Sequence, residues 1–191
     1  GFNNANINTI AKNSYADLDA VGGTNSQAGF VTAQEAFDES NGARQGVERY
    51  VIYMTDGAAG YYYNSSNGNT EGTDSPSESN PNSTAVSRAI SSAIDLKNAT
   101  NAKIYTVAFI SNDSGAVQVL NPKDSRGNNR YQEGYYKATS ATELTGIYNL
   151  LAEKISEEIA NNAVITDTLP SDFTFDTTSL PADVTIDTNG K

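Results

Sequence analysis

Two short, unbroken runs of apolar residues limit the folds open to this chain. Residues 50–54 (Tyr-Val-Ile-Tyr-Met) and residues 104–110 (Ile-Tyr-Thr-Val-Ala-Phe-Ile) lack the alternation of a half-exposed strand. Such runs are typical of strands that are covered on both faces, as in a parallel sheet. Between them, residues 85–98 carry apolar side chains at helical spacing. A strand, a helix and another strand in that order predict an α/β fold with a parallel sheet, and residues 50–54 are expected to form a central strand.

Helical periodicity predicts further helices over residues 7–21, over residues 27–37 and from residue 140 onward. The last of these has the clearest pattern. Ser140 and Glu143 match the capping-box spacing, in which the two side chains bond free backbone N–H groups at the start of a helix. An apolar stripe follows at intervals of three or four residues: Leu144, Ile147, Tyr148, Leu151, Ile155 and Ile159. This stripe is expected to face a core.

The period of the pattern changes from helical to alternating near residue 162. We therefore predict an α/β domain over residues 1–162 and the start of a β-rich domain over residues 163–191. A segment of about 30 residues cannot bury a core of its own, because chains below about 40 residues usually need staples or a partner. The tail is thus expected to be the opening of a β domain.

Two polar segments, residues 60–84 and residues 111–134, are predicted to be long loops on either side of the second helix and strand. Loops of this length are uncommon within a compact domain and are often functional. We expect both to emerge at the same edge of the sheet, where they would form a recognition surface, although a solvated loop is an equal alternative. Residues 135–138 are predicted to form a short edge strand.

The charge and the missing residue types exclude several classes of function. The chain of 191 residues has 23 acidic and 12 basic side chains, a net charge of -11, no His and no Cys. Such a charge repels phosphate backbones, so nucleic acid is a poor partner. Without His or Cys, neither a His-dependent nucleophile nor an ordinary zinc site can form. Hard oxygen ligands favour Mg2+, Mn2+ or Ca2+. No apolar run reaches the ~20 residues that span a bilayer, so membrane insertion of this segment is not expected.

Two motifs are predicted to meet at one edge of the sheet. Thr24 follows a pair of glycines just before the helix at residues 27–37, and Asp56 follows the strand at residues 50–54. Ligands of parallel α/β sheets bind at the carboxyl ends of the strands, where helices begin. The hydroxyl of Thr24 and the carboxylate of Asp56 are therefore predicted to share one hard cation. Two simpler interpretations remain: Thr24 as a helix cap and Asp56 as a turn residue.

The order of these motifs resembles the second half of a von Willebrand factor A domain. In that family an Asp-x-Ser-x-Ser loop, a Thr and an Asp from a Thr-Asp-Gly loop form a metal-ion-dependent adhesion site. Thr24 and Asp56 match the second and third elements. The resemblance covers about residues 5–160 and implies a Rossmann-like three-layer fold. No Asp-x-Ser-x-Ser follows an apolar strand here, so we expect the first strand and its loop to lie upstream of Gly1 in a longer protein.

Residues 163–173 resemble the start of the β-sandwich segments that follow A domains in tip adhesins of Gram-positive pili and related wall-anchored proteins. The resemblance implies an extracellular location on the cell wall or pilus, and partners among host or matrix proteins and neighbouring surface-protein domains. Mg2+, or Mn2+ or Ca2+, would be held by Thr24, Asp56 and the upstream loop. Binding by this piece alone is expected to be weak or absent, because two ligands compete poorly with the hydration shell of Mg2+.

These features lead to one preferred function and two alternatives. We expect a non-enzymatic, metal-dependent adhesion module, with Tyr61, Tyr62 and Tyr63 contributing to ligand binding because Tyr provides wide contact area at low entropic cost. The main alternative is a structural shaft module with a vestigial metal site. A metal-dependent hydrolase is less favoured, since no general base is evident near Asp56.

Overall fold

The computed structural model describes residues 23–73, 83–109 and 115–161. The chain divides into two compact units, Gly1–Asn149 and Leu150–Lys191. The predicted helix over residues 7–21, the predicted domain boundary at residue 162 and the predicted β segment at residues 163–191 lie outside the described residues.

The helices and strands alternate as expected for an α/β chain. In order they are α1 (Ser26–Ala36), a short 3-10 helix (Glu39–Asn41), β1 (Tyr50–Thr55), β2 (Tyr61–Asn64), β3 (Asn69–Gly72), α2 (Ser83–Thr100), β4 (Lys103–Phe109), α3 (Val117–Leu120), β5 (Gln132–Ala138) and α4 (Ala141–Asn161). The helices predicted at residues 27–37, 85–98 and 140 onward are present as α1, α2 and α4.

Three parallel strands form the sheet, in the order β1-β4-β5. The predicted mixed α/β architecture with a parallel sheet is confirmed, and it is compatible with a Rossmann-like core. β4 lies in the middle, and its residues from Ile104 to Ala108 are all buried. Because the strands are parallel, Thr55, Phe109 and Ala138 end at one side, here named the carboxyl edge. The opposite side, where the strands begin, is named the amino edge.

β1 is more exposed than its sequence predicts. Within the described residues it pairs with β4 alone, and the side chains of Ile52 and Met54 are 38% and 43% exposed. The alternate residues Val51 and Tyr53 pack against the core. The expectation that β1 is central and buried on both faces is therefore wrong for the described sheet. An unbroken apolar run cannot distinguish a strand that is covered twice from one that is covered once.

The main core of the first unit lies where α1 and α2 cover one face of the sheet. α2 contributes a buried stripe of Ala85, Val86, Ala89, Ile90, Ala93 and Leu96. Phe30 of α1 is fully buried, with its ring centroid 4.4 Å from that of Tyr53 on β1 and 5.5 Å from that of Tyr131. The aromatic contacts fix α1 to the sheet and so set the position of the residues on either side of this helix.

The segment predicted as a loop at residues 60–84 contains ordered structure. β2 and β3 form an antiparallel hairpin in which Tyr61 pairs with Gly72 and Asn64 pairs with Asn69. Gly72 has φ +147°, and a Cβ added there would lie 2.1 Å from the carbonyl oxygen of Gly60, so only glycine fits. The loop prediction failed over residues 61–72 because polar composition outweighed the preference of Tyr for strands.

The second predicted loop, residues 111–134, does not stay at the carboxyl edge. α3 leads back along the sheet: the Thr106 hydroxyl, in the middle of β4, donates to the carbonyl of Leu120 at 2.6 Å. Residues 121–131 then precede the start of β5 and lie at the amino edge. The prediction that both loops form a recognition surface at one edge is therefore wrong for residues 121–131. The edge strand predicted at residues 135–138 is confirmed in the described sheet and extends back to Gln132.

The predicted cap of α4 is present. The hydroxyl of Ser140 accepts from the backbone N–H of Glu143 at 3.2 Å, and the Glu143 carboxylate accepts from the N–H of Thr139 at 2.7 Å. The apolar stripe behind the cap is less buried than expected: Leu151 is fully buried, whereas the Tyr148 side chain is 39% exposed. The Tyr148 hydroxyl donates to the sulfur of Met54 at 3.5 Å, which gives β1 a contact on its more open face.

Candidate functional site

The backbone of Thr24 is joined directly to the segment that follows Asp56. Thr24 forms a parallel bridge with Ala59, and its carbonyl oxygen accepts from the N–H groups of Gly60 at 2.9 Å and Tyr61 at 3.1 Å. The residues before α1 and after β1, more than thirty positions apart in sequence, are thereby held together. The two predicted metal-ligand motifs thus come to the same edge of the sheet.

The side chain of Thr24 points at the turn that carries Asp56. A Cβ added to Gly57 would lie 2.8 Å from the hydroxyl oxygen of Thr24, closer than real Cβ atoms approach other groups. Gly57 is therefore required for the hydroxyl to reach this turn. The buried Thr55 hydroxyl accepts from the N–H of Gly57 at 3.2 Å and so stabilises the turn from the other side.

The carboxylate of Asp56 is exposed, and no hydrogen bond or ion pair holds it within the described residues. Asp56 is therefore not used to cap or brace its own turn, since the hydroxyl of Thr55 does this. The simpler interpretation, that Asp56 serves only as a turn residue, leaves its carboxylate without a structural role. An exposed carboxylate on a turn that a hydroxyl approaches provides oxygen ligands of the kind that a hard cation prefers.

Thr24 does not cap α1. The N-cap residue of this helix is Asn25, whose side-chain oxygen accepts from the N–H of Ala28 at 3.0 Å. The helix-cap interpretation of Thr24 is thus wrong, and its hydroxyl remains directed at the Asp56 turn. Asn25 was not singled out in the sequence, although Asn directly before a helical pattern is a typical capping signal.

The donor set fits a hard divalent ion only in part. A Thr hydroxyl and an Asp carboxylate are oxygen ligands of the kind that Mg2+ prefers, and Mg2+ often keeps several waters while binding one or two carboxylates. No cluster of three or more His, Cys, Asp or Glu suitable for a metal occurs among the described residues. Thr24 and Asp56 alone would therefore hold a largely hydrated ion.

The three tyrosines of β2 have different surroundings. Tyr61 lies over Gly23, where an added Cβ would be 2.6 Å from its ring. Tyr62 packs against the core and donates its hydroxyl to Glu71 at 2.8 Å. Tyr63 is 50% exposed, and its backbone N–H donates to the side chain of Gln27 on α1 at 2.7 Å. Of the three predicted ligand-binding residues, Tyr63 presents the largest free surface.

A carboxylate-centred network organises the hairpin next to Thr24. Glu71 accepts hydrogen bonds from the side-chain amides of Asn67 at 2.6 Å and Asn64 at 2.9 Å, and from the Tyr62 hydroxyl. These donors, with Asn67 first, hold the pKa of the Glu71 carboxyl below its usual range. The hydrogen bond between the Tyr62 hydroxyl and Glu71 raises the pKa of Tyr62. The sequence indicated no role for Glu71, because the network forms across a hairpin that was not predicted.

Comparison with protein-family models found no matching family, and no similar curated protein or solved structure was found. Among the described residues, no helix combines the length and the apolar character needed to cross a bilayer. The functional interpretation therefore depends on the geometry of the site and on the motif resemblance.

Proposed function

We propose that this chain is part of a metal-ion-dependent adhesion module of the von Willebrand factor A type, from a bacterial cell-surface or pilus-tip protein. The observation that carries the proposal is the contact between the Thr24 hydroxyl and the Asp56–Gly57 turn at the carboxyl edge of a parallel sheet. This is the edge at which ligands of parallel α/β sheets bind. The unused carboxylate of Asp56 gives further support.

In this proposal Thr24 and Asp56 are two of the ligands of a Mg2+ ion, or of Mn2+ or Ca2+. The ion would supply a positive charge that attracts an acidic group of an extracellular host or matrix protein. The exposed ring of Tyr63, on the hairpin tied to Thr24 through Tyr61, would add contact area beside that group. The module would act at the cell wall or on a pilus, next to a β-rich domain that begins at residue 163, and would bind without catalysing a reaction.

A structural shaft module is the second candidate, and the small ligand set favours it. Among the described residues Thr24 and Asp56 are the predicted ligands, and no group of three or more His, Cys, Asp or Glu that could hold a metal occurs there. A site with two ligands is what a vestigial metal centre would retain. In that case the chain would carry load between neighbouring surface-protein domains, and the ion would be dispensable.

Calorimetric titration of the chain with MgCl2 and MnCl2 separates the two candidates. If the adhesion proposal holds, weak binding is expected and Asp56→Ala abolishes it. Asp95→Ala is the matched control, because Asp95 is an exposed acid on α2 that makes no contact with the site. Ion binding at Asp56 would be ruled out if the heats of metal binding are the same for the original chain and Asp56→Ala. It would also be ruled out if Asp95→Ala loses as much heat as Asp56→Ala, and the structural role would then remain.

A further inference from the structure

A cavity of about 340 Å3 lies at the amino edge, between the end of α1 and the start of β1. Its wall combines apolar surface with two guanidinium groups. The lining residues that matter here are Phe37, Arg44, Val47, Glu48, Arg49 and Tyr50. This volume is near the lower end of the ~300–1,000 Å3 range that is typical of small-molecule sites, so it suits a ligand with a body of about one aromatic ring.

The apolar part of the wall is open to a ligand. The ring of Phe37 forms part of it, and Val47 leaves 40% of its side chain exposed. Exposed Val beside an aromatic ring gains free energy when an apolar group covers it. The cavity can therefore bury the apolar body of a small ligand.

The lining of the cavity carries more positive than negative charge, with two arginines and one glutamate. The carboxylate of Glu48, the one acid in the wall, accepts from the Tyr50 hydroxyl at 2.6 Å and from the Lys103 ammonium at 3.1 Å, both on the same oxygen. No hydrogen bond or ion pair joins Arg44 or Arg49 to a carboxylate within the described part of the chain. The two arginines that line the cavity thus have no carboxylate partner among the described residues, and one oxygen of the acid in the lining is already paired.

Arg49 is also held in place. Its guanidinium carbon lies 5.7 Å from the centroid of the Phe37 ring, which is within the range of a cation–π contact. The side chain is half-buried, so an incoming anion meets a partly desolvated charge. A guanidinium that is fixed against a ring presents its N–H groups in the fork that matches a carboxylate.

We propose that this cavity binds a small apolar monocarboxylate, with its carboxylate on Arg44 and Arg49 and its apolar body against Phe37 and Val47. The net charge of -11 opposes unspecific binding of anions to this chain, so recognition must come from the local pair of arginines. The ligand has two sources with the same chemistry: a free acid, or the C-terminal residue of a peptide with an apolar side chain.

This site is independent of the proposed adhesion function. Arg49 precedes β1 and Asp56 follows it, and six extended residues separate the two by about 20 Å. The cavity therefore lies at the opposite edge of the sheet from Thr24. Asp56→Ala should leave acid binding unchanged, so failure of one proposal can be told from failure of the other.

The experiment is a titration of the whole chain, followed by the NMR shifts of its backbone amides. The free-acid probe is 3-phenylpropanoate, and its uncharged amide, 3-phenylpropanamide, is the control. The peptide probe is acetyl-glycylglycylphenylalanine, again with its C-terminal amide. We expect both acids to shift the amides of Gly42, which lines the cavity, and of Gly46, which directly precedes the lining residue Val47, and the amide probes to bind at least about tenfold more weakly. Tighter binding of the peptide acid would identify a peptide C-terminus as the source, and tighter binding of 3-phenylpropanoate would identify a free acid.

Arginine variants locate the carboxylate. Arg49→Gln and Arg44→Gln should each weaken the acid probes about tenfold and leave the amide probes unchanged. Arg49→Lys should have an affinity for the acid probes between those of the original chain and Arg49→Gln, because Lys keeps the positive charge but lacks the paired N–H donors of a guanidinium group. Arg126→Gln is the matched control: Arg126 is exposed in the turn at residues 124–128 and does not line the cavity. Arg44 is exposed, so its variant tests the proposal even where Arg49→Gln disturbs folding.

Three results would overturn the proposal. The first is equal binding of acid and amide, because the guanidinium groups would then recognise no carboxylate. The second is an equal loss of affinity in Arg126→Gln, which would mean that only the overall charge matters. The third is the absence of shifts at Gly42 and Gly46 with every probe.

Discussion

The two ends of β1 carry opposite chemistry on the same strand. At its carboxyl end, the hydroxyl of Thr24 meets the turn of Asp56, whose carboxylate is exposed. At its amino end, Arg44 and Arg49 line a cavity whose acid, Glu48, is already paired. The first end offers oxygen ligands to a cation, and the second offers guanidinium groups to an anion.

Both ends depend on the same helix. α1 begins two residues after Thr24, and its last residue, Ala36, and the following Phe37 line the cavity. One packed helix therefore lies between the two proposed sites, while the chemistry proposed for each site comes from the short segments next to the strand. Substitutions in the helix core should affect both sites, and substitutions in the segments should affect one.

The largest effect is expected for Phe30→Ala. Phe30 is fully buried between Tyr53 and Tyr131, so its removal should lower the free energy of unfolding by about 3–5 kcal/mol. Urea denaturation measures this change. Metal binding and acid binding should then weaken together. Val31→Ala, a truncation at an exposed position of the same helix, is the control and should change stability by less than about 0.5 kcal/mol; a similar loss in both variants would contradict the account.

The next effect separates the two ends. Gly57→Ala places a Cβ 2.8 Å from the Thr24 hydroxyl, which should cost about 1–3 kcal/mol of folding stability. The variant should also lose the heat of metal binding in the calorimetric titration, while its cavity at the amino edge should still bind the acid probes. Thr24→Ala removes the clashing oxygen. The double variant should therefore lose less stability than the sum of the two single variants in a denaturation cycle. Strict additivity would show that the hydroxyl and the turn are not in contact.

A smaller effect is expected at the start of α1. Asn25→Ala removes the side-chain acceptor for the N–H of Ala28 and should cost about 1 kcal/mol in thermal or urea unfolding. Asn25→Asp keeps an acceptor and should retain most of the stability. Because Asn25 adjoins Thr24, losing this cap should weaken metal binding more than acid binding. A larger loss of acid binding would contradict the assignment of Thr24 and the arginines to opposite ends of β1.

The smallest effect concerns pH and the hairpin beside Thr24. Hydrogen bonds lower the pKa of Glu71 in the folded state, so the ionised carboxylate stabilises the fold above the usual carboxyl range. This stabilisation is lost as the pH falls through the lowered pKa. Between about pH 6 and about pH 3, the range over which carboxyl groups titrate, the melting temperature should fall more in the original chain than in Glu71→Gln. Parallel curves would show that the network does not contribute.

The phenol of Tyr62 provides a second measurement of the same network. Its contact with Glu71 raises its pKa, so Glu71→Gln should shift the phenolate absorbance transition of one tyrosine to lower pH. An unchanged phenolate titration in Glu71→Gln would show that Glu71 does not affect the ionisation of Tyr62.

Local patterns were sufficient for most elements of the fold. The periodicity of residues 85–98 predicted α2, Ser140 and Glu143 predicted the start of α4, and the apolar runs predicted β1 and β4. These signals work because each depends on residues a few positions apart. The order of strands and helices then indicated a parallel sheet, since a crossover helix between strands permits little else.

The failures share a physical cause. The apolar run of β1 predicted burial on both faces, but coverage depends on which helices pack there, and Ile52 and Met54 remain partly exposed. The hairpin at residues 61–72 and the return of residues 121–131 to the amino edge were also missed. Each is decided by pairing or packing between segments whose polar composition resembles a loop.

By itself the sequence determined the α/β class, the positions of the principal helices and strands, and the oxygen-rich chemistry of Thr24 and Asp56. Only the tertiary structure decided that the Thr24 hydroxyl lies against Gly57, that Asn25 rather than Thr24 caps α1, and that Arg44 and Arg49 line one cavity. Periodicity is a property of neighbouring residues, whereas these contacts join segments that become neighbours only when helices and strands pack.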